Sequence, residues 1–136
     1  MIRVEKHIAH SLVIDYGSMF QSIFGVSDPY QAPETLFMVY DGETLIGMLA
    51  GYLRDTRTFY IQYGGLLPEN VKQYRAKGLF DQAVKAIEEP IVALSISNKN
   101  RPALRLVLAS GFTIVGVRVD LGNNVFVDFI KDKSHG

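Results

Sequence analysis

The sequence contains no cysteine. That absence excludes a disulfide framework, a thiolate zinc site and a cysteine nucleophile. Histidine is scarce, with only His7, His10 and His135, and no His, Asp or Glu spacing suggests a metal site. Net charge is missing too. The 14 Lys and Arg residues balance 14 Asp and Glu residues over 136 positions. This argues against a whole-surface electrostatic partner such as duplex DNA or an anionic membrane, although it leaves room for a local basic pocket. No apolar run approaches the roughly 20 residues of a membrane-spanning helix. The first residues, Met1-Ile-Arg-Val-Glu-Lys6, read as a strand and not as a signal peptide. The expectation is a soluble, cytoplasmic, single domain over residues 1–136, with no metal, no nucleic acid and no membrane partner.

What is present reads as an alternation of strands and helices. Residues 1–7 fit a short strand. Ser11 can cap a helix that places Leu12, Tyr16, Met19, Phe20, Ile23 and Phe24 on one face. Gly25 to Pro33 holds two prolines and reads as a loop. Leu36–Tyr40 and Leu45–Leu53 are strand-like, with Asp41-Gly42 as a hairpin signal between them. Thr58–Tyr63 is the next strand, rich in aromatic and β-branched residues and ending at Gly64-Gly65. The spacing of Leu79, Phe80, Ala83, Val84 and Ile87 predicts a helix from about Lys77 to Glu88, stopped by Pro90. Ile91–Ile96 reads as a buried strand. Asn100-Arg101-Pro102 opens a helix that Gly111 closes. Phe112–Asp120 and Val125–Ile130 form a last hairpin. The sum is an α+β sheet with helices on both faces.

The most informative stretch is Lys72 to Phe80, between a strand and a helix. It carries Lys72, Arg75 and Lys77, with Gly78 at the helix start. The first turn of a helix has N–H groups without partners and a partial positive charge. Glycine lets an anion approach that backbone, so a phosphate fits. A solvated basic loop is the alternative reading of the same residues.

Further along, Asn100, Ala103, Leu106 and Gly111-Phe112 stand in the order of the closing motif of the GCN5-related N-acetyltransferase (GNAT) family. Arg75-x-x-Gly78 is similar to that family's pyrophosphate loop. Two such motifs, separated by one helix and one strand, resemble the family over most of the chain. The resemblance implies a mixed, mostly antiparallel sheet whose fourth and fifth strands are parallel and splay apart. It implies acetyl-CoA as acyl donor and an amine of a small molecule or protein as acceptor. The pantetheine arm would pair near Leu66 and Leu67. The pyrophosphate would lie on Arg75, Ala76, Lys77, Gly78, Leu79 and Phe80. Asn100 fits a plain helix cap, or a cap that also touches the cofactor arm.

The chain departs from the family pattern in several places. The position of the usual thiolate acid, a tyrosine, is Val107. Phe80 replaces a small residue, so its ring must point into the core to leave phosphate room. The loop from Pro68 to Gly78 is longer than the common form. Thr58 to Leu67 contains no Asp, Glu or His. Candidates for the catalytic roles are therefore Tyr63, Glu69 and Tyr74, with Tyr60 and His10 behind them. Tyr16, Asp28 and Tyr30 could line an acceptor pocket. Val107 and the acid-free strand also admit a catalytically silent CoA-binding or interaction module. Phe112, Val115, Val119, Val125 and Phe129 make the last hairpin apolar enough for a dimer contact, so the chain could be a monomer or a homodimer.

Overall fold

Residues 1–8, 34–66 and 73–135 of the chain are described by the computed structural model. The expected helix after Ser11, the Gly25–Pro33 loop, His10, Tyr16, Asp28, Tyr30, Leu67 and Glu69 lie outside them. The stretches rich in β-branched and aromatic residues pair into one sheet. Its strands are β1 (Ile2–Ile8), β2 (Thr35–Asp41), β3 (Thr44–Leu53), β4 (Thr58–Leu66), β5 (Ile91–Ser97), β6 (Thr113–Val119) and β7 (Val125–Asp132). Their order across the sheet is β1-β2-β3-β4-β5-β7-β6. Every neighbouring pair is antiparallel except β4 and β5. Two parallel strands cannot be joined by a tight turn and need a crossover. Here the crossover carries helix α1 (Ala76–Ala86). Helix α2 (Arg101–Ala109) joins β5 to β6.

The apolar stripe expected on α1 lies against the sheet. Leu79, Ala83, Val84 and Ile87 are buried beside Phe37, Phe59, Val92, Leu94 and Phe129. Each large apolar side chain among them contributes about 1.5–3 kcal/mol by leaving water. The helix ends two residues before Glu88. Ile87 turns extended, and the Lys133 ammonium donates to the Val84 and Ile87 carbonyl oxygens at that end. A cation at a helix C-terminus satisfies carbonyls that the helix cannot. Burial holds the Lys133 pKa below its usual value.

Three sequence expectations shift in the structure. Asp41 is the last residue of β2, paired with Thr44, and the turn itself is Gly42-Glu43 with φ +62° at Gly42. Strand β4 does not stop at Gly64-Gly65 but runs through both to Leu66, because β3 continues to pair with them. Strand β7 extends past Ile130 to Asp132, because the first residues of β5 need partners. Of the residues offered as a dimer contact, Phe112 and Phe129 are only 4% and 1% exposed and belong to the core. Val115 and Val119 do stand outward on the edge strand β6.

Candidate active site

The site begins where two parallel strands part. Strand β4 pairs with β5 only from Thr58–Ile91 to Ile61–Leu94. Beyond that point β4 stays with β3 as far as Leu66, while β5 stays with β7 as far as Ser97. The cause is local. The β3–β4 register slips between Ala50 and Gly51, so that Gln62 is an extra residue on β4. A bulge of this kind bends its strand and re-aims the residues beyond it. Gly51 permits the bulge: a Cβ there would lie 2.0 Å from the Tyr60 carbonyl oxygen.

The fork encloses a cavity of about 340 Å³. Its walls are Gly64, Gly65 and Leu66 of β4, Leu94 and Ile96 of β5, and Ala76, Leu79 and Phe80 from the first turns of α1. Ala103, Leu106 and Val107 of α2 close it. The N-terminus of α1 therefore stands at an apolar slot. Arg75 is the N-cap, with no side-chain cap and no acid in the first turn. The outer face of that turn is open: a Cβ on Gly78 would meet nothing within 4 Å. Helix α2 contrasts with it. Its first turn is closed by Asn100, whose Oδ1 accepts from the Ala103 N–H at 3.3 Å.

No family model matches this sequence, and no curated protein matches it. Solved structures do. A GNAT family acetyltransferase from Elizabethkingia anophelis, solved with acetyl-CoA bound, superposes with a TM-score of 0.71 at 16% identity, covering 96% of this chain and 97% of that one. Mutant forms of the spermidine/spermine N-acetyltransferase SpeG from Vibrio cholerae superpose with a TM-score of 0.71 at 17% identity, covering 98% and 96%. A further SpeG mutant from Vibrio cholerae reaches 0.65 at 21% identity, covering 77% of this chain and 67% of that one. The chain has the GNAT acetyltransferase fold.

Within that GNAT fold the expected site residues divide. Leu66, Ala76, Leu79 and Phe80 line the slot, and so does Tyr63. Arg75, Lys77 and Gly78 are exposed around the helix start. Lys77 is engaged by Asp81, 2.7 Å away and one turn on. The Phe80 ring leans on Phe112, centroid to centroid 5.7 Å, and packs against the core. Asn100 is exposed and is not among the lining residues. Replacing it with alanine should cost about 1 kcal/mol of stability through the lost cap. Denaturant unfolding of N100A measures this, and an unchanged midpoint would show that the cap contributes nothing.

Tyr74 is not in the slot wall. Its hydroxyl donates to Asp41 Oδ2 at 2.6 Å, tying the segment before α1 to the β2–β3 turn. The Met1 ammonium binds the other oxygen, at 2.9 Å. The Tyr74 hydrogen bond, then the ammonium, hold the Asp41 carboxyl below its usual pKa, and the Tyr74 hydroxyl is raised by the same contact. The folded state thus resists protonation to a lower pH than the unfolded chain, where Asp titrates at about 3.9. The resulting stabilisation is present above that value and is lost as pH falls through the lower folded value. Tyr74→Phe removes the largest cause, so its stability should fall less steeply with acid. Unfolding midpoints of both proteins from neutral pH down through the carboxylate range test this, and equal slopes would break the link.

Val107 is 2% exposed, deep in the wall of the slot. It offers no proton at the position where the family pattern has tyrosine. On the opposite face of the sheet lies a polar cluster of which the sequence singled out only Tyr60. Tyr60 donates to Ser95 Oγ at 3.1 Å, and Ser95 donates to Asp128 Oδ1. Arg118 Nε reaches the same Asp128 oxygen at 3.3 Å. A signal was present: Ser95 and Asp128 interrupt the apolar runs Ile91–Ile96 and Val125–Ile130. Their meeting is a matter of register, since Ser95 is paired with Asp128 across β5 and β7. Among the described residues no three metal-binding side chains come together, and no helix is long and apolar enough to cross a membrane.

Proposed function

We propose that the chain is an acyl-CoA-dependent N-acyltransferase that moves an acyl group to an amine. The observation that carries this reading is the uncapped start of α1 opening onto the slot between β4 and β5. A diphosphate suits first-turn N–H groups that have no partner within the helix, with Arg75 beside them and open space at Gly78. An apolar cleft with a strand on each side suits an extended pantetheine arm, whose amides can bond to strand backbone near Leu66. The likeness to a fold relative holding acetyl-CoA supports the same choice of donor.

The thioester supplies the acyl group, and the protein's task is to hold it and to receive a neutral amine. An aliphatic amine has a solution pKa near 10, so a proton must leave before attack. The β4 backbone at the fork can donate to the oxyanion that develops. Tyr63, half-buried in the slot wall, is the proposed proton donor to the departing sulfur.

Calorimetric titration with acetyl-CoA is the primary test. The expected result is saturable binding; no heat and no thermal shift at millimolar ligand would remove the donor. Val107 favours a second reading, a domain that binds CoA without turnover. Release of free thiol against a panel of amines separates the two. Tyr63→Phe should lower that release by about 100-fold or more if Tyr63 supplies the proton, with acetyl-CoA affinity retained.

A further inference from the structure

A second cavity opens on the other side of the same fork. Gln62, Leu94 and Ser95 line both cavities, so the two meet where β4 leaves β5. The second cavity is larger, about 730 Å³, and its wall is charged. Among the described residues lining it, Arg54 and Arg118 are cationic and Asp128 is the single carboxylate. Arg54 is held in place by stacking on Tyr60, 4.3 Å from the ring centroid. Arg118 lies over Phe126 at 5.0 Å and touches Asp128. Ser95, itself bonded to Tyr60, donates to the same Asp128 oxygen.

We propose that this cavity receives the acceptor and selects a small amine that also carries a carboxylate, an α-amino-acid-like zwitterion. The inference rests on the acyltransferase reading above. The ammonium is placed at Asp128, beside Ser95 and therefore at the meeting point of the two cavities. The carboxylate is placed on Arg118, with Arg54 adding positive potential. An adjacent pair of opposite charges is the complement of a zwitterion, whose own charges are separated by one carbon. A chain of ammonium groups meets the reverse: two guanidinium groups and one carboxylate already shared. Spermidine, named for several of the similar structures, is thus a poor fit to this wall. Transfer forms the N–C bond and breaks the thioester C–S bond, whose electron pair leaves on sulfur. The ammonium gives up two protons, one ending on the thiol and one in solvent.

The experiment uses the full chain with acetyl-CoA and three acceptor sets: L-amino acids, the corresponding L-amino acid amides, and spermidine. Thiol release is followed, and acetyl-CoA binding is measured separately by calorimetry. The expected result is a kcat/KM at least about 10-fold higher for the acids than for their amides, equivalent to about 1.4 kcal/mol, with spermidine lowest. Arg118→Gln should bring the acid-to-amide ratio toward one, and Arg118→Lys should restore part of it. Arg118 is exposed, so thermal unfolding of both variants should match the parent protein. If acetyl-CoA binds but amides or spermidine are used as well as the acids, the inference is overturned and the donor reading stands. The same holds if no acceptor is used, or if R118Q leaves the ratio intact. If acetyl-CoA does not bind, the donor reading fails, and this assignment with it.

Discussion

Gly78→Glu is expected to abolish acetyl-CoA binding in a protein that remains fully folded. The two effects separate because of where Gly78 sits. A Cβ there has no described atom within 4 Å, so a larger side chain has room to leave the helix. Glutamate is also a better helix former than glycine by roughly 0.5–1 kcal/mol. A carboxylate in the first turn interacts favourably with the helix start. The unfolding midpoint should therefore rise or hold. Binding should respond in the opposite sense. A diphosphate brought to that turn would face a like charge a few ångströms away, worth several kcal/mol near a protein surface. That corresponds to an affinity loss on the order of 100-fold or more. Calorimetry and thermal unfolding on the same preparation give both numbers. Unchanged affinity with raised stability would move the phosphates away from α1.

The second large effect is on stability, at Phe59. This ring is 1% exposed, sits on β4 two residues before the parallel pairing ends, and meets Phe37 edge to face at 5.5 Å between centroids. Phe59→Ala should cost about 3–5 kcal/mol, from lost burial plus the cavity left behind. That is a large share of the roughly 5–15 kcal/mol typical of a domain. Chemical denaturation measures it directly. A loss below about 1 kcal/mol would mean that the core collapses into the gap and that Phe59 does not anchor the strand. Because Phe59 holds β4 just ahead of the bulge, acetyl-CoA affinity should fall in the variant too, even where it is still folded.

The residues that announced the fold did so for reasons internal to short segments. The stripe from Leu79 to Ile87 specifies a helix because 3.6-residue periodicity needs no distant partner to be visible. Asn100 with Pro102 marks a helix start because capping satisfies N–H groups only a few positions away. The proposed phosphate site could be named from Gly78 and Arg75 because it would be built from one helix end. Boundaries were less legible. Strand β4 carries glycines that read as a stop, yet its partner β3 extends it, and only the pairing reveals that. Helix α1 ends early because of Lys133, which is 46 residues from Ile87 in the chain.

The amino-acid order by itself determined the order of the described elements, the slot-forming family resemblance and the helix end suited to an anion. The tertiary structure alone decided that Gln62 bulges out of β4, so that β4 and β5 diverge after Ile61 and Leu94. It also decided that Tyr60, Ser95, Asp128 and Arg118 meet on the far side of that fork. The physical reason is range. Periodicity, capping and turn chemistry act over a few residues, whereas the polar cluster depends on the register between strands as far apart as residues 60 and 128. No local pattern encodes that register, and it is set by which apolar faces the whole sheet buries.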